Sequence, residues 1–288
     1  MPAPGGPAAP GHTVRGVEPL IICVWIFLAA WAGSWLLSVV TREYSWVDRL
    51  WSLIPIAYVA VFAGATGFRD GRLLLMLALV TAWGLRLTYN FARKGGYAPG
   101  GEDYRWGVLR QRMSGWQFQL FNATFISGYQ NLILLLICLP AWVCWKNPGS
   151  FGFADVILAA VFLALLVGET VADQQQWNFQ RWKRAAGPDA RPRFVQTGLF
   201  RYSRHPNFFF EQAQWWVFVG FAASAAGSLW QPTVLGAVLL TLLFIGSTRF
   251  TEQISRSRYP EYADYQATTS ALVPWFHRAA PSPERRPA

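Results

Sequence analysis

"LIICVWIFLAAWAGSWLLSVV", Leu20–Val40, holds 21 residues without a charge. A helix of that length covers the roughly 30 Å of a bilayer's hydrocarbon core. The run starts too late and is too long for a secretory leader. It follows "MPAPGGPAAPGHTVRG", a Pro/Gly/Ala-rich opening whose composition predicts disorder. Outward from this stretch, further apolar runs occur at Trp51–Phe68, Leu73–Phe91, Leu120–Trp145, Phe153–Ala172, Phe208–Ala226 and Leu229–Thr248. The expected fold is all-α: a polytopic membrane helix bundle of about seven transmembrane helices. One membrane domain is expected over 20–276, with disordered tails at 1–19 and 277–288. The sixth run is the weakest, being short and ending in "GFAASAAGS". The fourth carries Asn122, Ser127, Gln130 and Asn131, which either face a cavity or break the helix.

Composition agrees. Hydrophobic residues make up 53% of the 288 and charged residues only 14%, where a soluble chain averages about 25%. Sixteen tryptophans and 21 phenylalanines suit bilayer interfaces. The three cysteines lie in apolar runs and the three histidines are scattered, so neither a disulfide framework nor a metal site is indicated.

The net charge of +10 raises the question of nucleic acid, and its distribution answers no. Arg42 and Arg49, then the 93–112 segment, then Arg181–Arg204, then the C-terminal tail carry nearly all the basic residues. The alternate connections hold only Arg15, Arg69, Arg72 and Lys146. The positive-inside rule then puts the N-terminus outside and the C-terminus in the cytoplasm, in a bacterial inner membrane or an endoplasmic-reticulum-type membrane. The partners implied are the lipid bilayer and a lipid-like small molecule, with no nucleic acid; the oligomeric state is left open.

Polar residues inside such helices need a reason. Arg86 lies within the third run, with Asn90 on the same face; it either snorkels to the interface or faces a partner. Glu169, Asp173, Gln176 and Gln180 form one stripe on the fifth helix. Glu169 is read as pocket-facing, and from Gln176 onward the helix is read as solvated. In "GLFRYSRHPNFFFEQ", 198–212, Asn207, Glu211 and Gln214 share a face beside Arg193, Arg201 and Arg204. Arginine forks recognise phosphates, while Asn and Glu suit a nucleotide's carboxamide or ribose. Positive-inside topology alone explains the arginines but not Asn207 and Glu211.

Five segments together resemble a bacterial-type membrane family related to the steroid 5-alpha-reductases. They are "SWVDRLWSLIP" (45–55), "GGEDYRWGVLR" (100–110), "ETVADQQQ" (169–176), "TGLFRYSRHPNFFFEQ" (197–212) and "EYADYQATTSALVPWF" (261–276). The resemblance implies an NADPH-dependent reductase of a polarised carbon–carbon double bond in a steroid-like or other lipid. Its cofactor would lie in a cytoplasm-facing cavity. Arg86, Asp173, Arg181, Arg193, Tyr202, Arg204, His205, Asn207 and Glu211 are the cofactor-binding residues it implies. Asp48 is the candidate catalytic proton donor. The Glu and Tyr that hold the steroid carbonyl have no matching pair; Asp48 is the nearest acid, and Trp83 stands where the tyrosine is expected. "RYSRHPNF" also resembles the RHP segment of isoprenylcysteine and phospholipid methyltransferases, which implies S-adenosylmethionine as the alternative cofactor. A non-catalytic lipid-binding protein is the third reading.

Overall fold

A computed structural model describes residues 17–276. The expected tails fall outside these residues apart from 17–19, of which Pro19 already opens the first helix. Among the described residues the regular structure is helical: α1 (Pro19–Thr41), α2 (Trp46–Trp51), α3 (Ile54–Ala65), α4 (Gly71–Arg93), α5 (Tyr104–Arg112), α6 (Gly115–Phe121), a π-helical segment (Asn122–Tyr129), α7 (Gln130–Lys146), α8 (Phe153–Ala186), α9 (Pro206–Ala226), α10 (Val234–Arg258) and α11 (Tyr262–Thr268). Six helical stretches are long and apolar enough to cross a membrane: α1, α2–α3, α4, α6 through α7, α8 and α10. The protein is therefore a polytopic helical membrane protein. The weak sixth run becomes α9, a 21-residue helix that is not among the six. Its buried Glu211, Gln212 and Gln214 dilute its apolarity, and α7, α8 and α10 pack against it.

Local chemistry sets the helix ends. Asp70 caps α4 by accepting from Leu73 N at 2.9 Å. Pro206 opens α9, where its missing N–H costs nothing, and Gly227 closes it at φ +66°. α8 runs for 34 residues, about 51 Å at 1.5 Å per residue. Its last turns therefore project beyond the hydrocarbon, but the expected solvation does not begin at Gln176, which is half-buried with its Oε1 enclosed.

α7 is central, against α1, α3, α9 and α10, while α1 turns Trp25, Leu36 and Val40 outward. Small residues allow the closest crossings. A Cβ on Gly236 of α10 would lie 2.5 Å from the Leu136 carbonyl of α7. The fourth run proves continuous rather than broken, and most of its polar residues serve packing. Asn122 donates to Ser38 at 2.7 Å and Asn131 to Ser34 at 3.1 Å, tying this helix to α1. At the start of α4, buried Arg72 makes a two-pronged pair with buried Asp155 of α8, at 2.7 and 3.2 Å. The opposite end of α4 is left to the cavity.

Candidate functional site

One cavity of about 1130 Å³ opens among α2, the C-terminal end of α4, the middle of α8 and α10, the N-terminal end of α9, α5 and the π-helical segment. Its lining is mostly apolar, with polar groups gathered at two poles.

Arg86 organises the first pole. It donates to Glu169 at 2.5 Å and Asp173 at 2.7 Å, and lies 3.8 Å from Glu211. Asn90, one turn along α4, also donates to Asp173 at 2.7 Å, and Lys94 approaches that carboxylate at 3.5 Å from the solvent side. Gln214 donates to the second oxygen of Glu169 at 2.7 Å. Three carboxylates thus converge on one guanidinium. Glu169 and Asp173 have several donors each, whereas Glu211 has only Arg86 at 3.8 Å and the neighbouring Glu169 carboxyl. Glu211 is 6% exposed, lines the cavity, and its Oε1 has no hydrogen-bond partner. A buried carboxylate oxygen left bare costs free energy, so it marks where a ligand's donor would gain most. Asn207, one turn before Glu211, lines the same wall.

The second pole is built on α2, α5 and the loop between α4 and α5. Asp48, Glu102, Asp103 and Arg105 line it. Asp48 Oδ2 is buried with no donor in hydrogen-bond geometry, although Ser45 and Trp106 adjoin the carboxyl. Asp103 caps α5, accepting from Arg105 N at 2.9 Å, and pairs with the Arg105 side chain at 2.5 Å. Burial opposes the charge on Arg105, but the Asp103 carboxylate more than offsets it and holds the guanidinium above its ordinary range. Arg105 also donates to Ser247 of α10, bridging two walls. The loop bends at Gly95 and Gly100, with φ +85° and +74°, values that favour glycine. It is pinned to α2 and the segment before it: Gly100 N donates to Glu43 at 2.9 Å, Tyr44 N to Glu102 at 2.8 Å, and Arg49 of α2 to Gly96 O at 3.2 Å.

A model of a protein family of unknown function, DUF1295, matches residues 34–269. The chain belongs to the DUF1295 family. An uncharacterized protein of the fission yeast Schizosaccharomyces pombe is 40% identical over 258 residues, covering 83% of this chain and 75% of the relative. No solved structure matches the chain significantly. Every cavity-lining residue, from Asp48 to Phe250, falls within the stretch matched to DUF1295.

The site of this DUF1295 protein gathers only part of the set expected from the sequence. Asp48, Asp173, Asn207 and Glu211 line the cavity, and Arg86 stands directly behind three of its acids. Arg181, Arg193, Tyr202, Arg204 and His205 do not line it. Arg181 is exposed on the projecting end of α8. The carbonyl of Arg193 accepts from Lys183 at 2.6 Å, and its side chain lies over the Tyr259 ring. Arg204 spends its fork within the protein, on both oxygens of Glu252 at 2.6 and 3.0 Å and on the carbonyls of Gln266 and Thr269. His205 meets the same Glu252 at 3.1 Å and stacks on Phe208, which itself lines the cavity. Tyr202 O accepts from Trp275 N at 2.9 Å. Tyr202, Arg204 and the His205 backbone fasten the 262–275 segment to the start of α9. A phosphate role for Arg204 would require breaking that latch. The cations that do line the cavity, Lys94 and Arg105, read in the sequence only as topological charge. Trp83 is fully buried, edge-on to Trp215 at 4.9 Å, and does not line the cavity.

Proposed function

We propose that the protein is an integral membrane reductase that uses NADPH to reduce a polarised carbon–carbon double bond in a lipid-like substrate. One observation carries the reading. Two buried carboxylate oxygens with no donor in hydrogen-bond geometry, Glu211 Oε1 on α9 and Asp48 Oδ2 on α2, line separate walls of a single, largely apolar cavity. At about 1130 Å³ the space exceeds the roughly 300–1,000 Å³ of a pocket for one drug-sized ligand, leaving room for a cofactor's reactive end beside a substrate.

The residues fit a nicotinamide. Glu211 Oε1 accepts from a carboxamide N–H, and Asn207 offers both a donor and an acceptor on the same wall. Of the two lining cations, Lys94 is the one with donors to spare for phosphate, since Arg105 is spent on Asp103 and Ser247. When bound, NADPH supplies the hydride. The chain's own work is then alignment, exclusion of water by the apolar lining, and delivery of a proton from the Asp48 side. Arg86 and Glu169 act through Glu211 by fixing the wall on which it stands.

A second reading has one observation in its favour. Asp48, Glu102, Asp103, Glu169, Asp173 and Glu211 outnumber Lys94 and Arg105 along the lining, and that negative field suits the sulfonium of S-adenosylmethionine. The experiment is calorimetric titration of detergent-purified wild type and Glu211→Ala with each nucleotide. We expect NADPH to bind the wild type. Losing a charged hydrogen bond costs about 1.5–3 kcal/mol, so Glu211→Ala should weaken NADPH about ten- to a hundredfold. Binding of S-adenosylmethionine alone would establish the methyltransferase reading. Binding of neither would leave a lipid-binding protein.

A further inference from the structure

The π-helical wall of the cavity differs from its neighbours. From Asn122 to Tyr129 each turn holds more residues than an α turn, and the segment closes with Gln130 N donating to Phe125 O. Side chains four apart share one face along this stretch. Phe121 and Phe125 stack at 4.9 Å and 17°, and Phe125 and Tyr129 at 5.4 Å and 18°. The three rings form one flat apolar ladder along the cavity. Aromatics at helical spacing are usually ordinary core. These three are only half-buried and border a void, while the polar side of the same segment is already spent on α1. π segments recur at functional sites.

Across the void stands α10. Thr124 on the π segment, and Leu242 and Gly246 on α10, line the cavity and are also exposed at the protein surface. All three lie well inside helices long and apolar enough to cross the membrane, so the surface they share faces lipid. Between Phe121, Thr124, Phe125 and Leu242 the gap carries no charge; cations stand at its far end, Arg112 over the Phe250 ring at 5.7 Å and Arg105 on Ser247. A charged headgroup passing there would lose its hydration without gaining a partner.

Resting on the lipid-like substrate proposed above, we infer that the gap between the π segment and α10 is a side portal. It admits an uncharged lipid from the bilayer, whose hydrocarbon body then lies on the Phe121–Phe125–Tyr129 ladder. Gly246 offers the means to close it, because a Cβ added there has no neighbour within 4 Å, so a bulky side chain starts in open space.

The test uses proteoliposomes containing the full chain and a long-chain alcohol bearing a diazirine. After illumination, adducts are mapped by mass spectrometry in wild type, Gly246→Trp and Thr124→Trp, with circular dichroism and thermal unfolding to show that each is folded. Wild type should carry adducts on the inner wall, at Trp51 and Tyr129. A folded Trp variant should lose them while keeping adducts on the outer face of α1 at Trp25. Two variants on facing helices keep the test sound if one fails to fold. Inner-wall adducts persisting in every folded Trp variant, or wild type labelled on outer faces alone, would overturn the portal. NADPH binding, titrated on the same preparations, judges the reductase reading separately, since the adduct map involves no nucleotide.

Discussion

Replacing Arg86 by Met is the most informative single perturbation of the cavity wall. The side chain keeps much of its length and loses its charge. Asp173 would still accept from Asn90 at 2.7 Å and keep Lys94 at 3.5 Å, so it stays partly compensated. Glu169 would retain only Gln214 at 2.7 Å, and Glu211 would lose its nearest cation. Removing one partner of a buried ion pair costs about 3–5 kcal/mol, because the remaining charge stays desolvated. At about 2–4 °C per kcal/mol for a chain approaching this size, the thermal midpoint in detergent should fall by roughly 6–20 °C. The cost sits mainly on Glu169, so Glu169→Gln added to Arg86→Met should recover a large part of it. Coupling energies between touching residues of about 0.5–3 kcal/mol set the scale of that recovery. The assay is thermal unfolding of wild type, both single variants and the double variant. Arg86→Met melting with wild type, or a double variant no more stable than Arg86→Met, would refute this account of the cluster.

Further expectations rest on other parts of the molecule. Gly236→Leu forces side-chain atoms against the Leu136 carbonyl, 2.5 Å from the new Cβ, and should cost about 1–3 kcal/mol by overpacking, whereas Gly246→Ala, facing open space, should melt with wild type. The Glu43 carboxyl is held below its ordinary value by the Gly100 N–H and by Arg49. Its contribution is therefore present above the ordinary carboxylate range and lost as pH falls through the lowered value; hydrogen exchange over 94–103 should rise at low pH, and Glu43→Ala should produce the same rise at neutral pH. Because the basic connections lie on the side of the cavity's polar poles, we propose that this side is cytoplasmic, and a reporter fused after Ala288 should be active there and silent on the far side.

The bundle was readable because membrane helices announce themselves in length and apolarity; five of the seven expected runs moved by five residues or fewer at their ends, while the Phe153–Ala172 run continues to Ala186 as α8. The Leu229–Thr248 run likewise extends into the polar "RFTEQISRSR" as α10. α9 was the weak case for a physical reason: a helix enclosed by others can carry Glu211, Gln212 and Gln214, and loses hydropathy by doing so. That Arg86 needs a reason inside its span was legible, because a buried charge there is costly; that its partners are Glu169 and Asp173 was not, since they lie 83 and 87 residues downstream. Nor were the partners of Arg204. Arg204 sits in a dense basic segment where topology, latching and ligand binding all use the same residue type. Its actual partner, Glu252, lies 48 residues downstream, so nothing local marks the pairing. The π turn also escaped, since "NATFISGY" carries no composition that separates it from an α turn, and with it went the aromatic ladder.

Transfer of deuterium from NADPH tests the central claim most directly. Proteoliposomes made with total membrane lipid and the purified protein would be supplied with NADPH deuterated at its transferable position, and the lipids compared by mass spectrometry. The account predicts a lipid that gains one deuterium and one solvent hydrogen with wild type, and little or none with Glu211→Ala or Asp48→Asn at equal folded protein. A lipid that instead gains a methyl group when S-adenosylmethionine is supplied, with no deuterium from NADPH in any species, would contradict it.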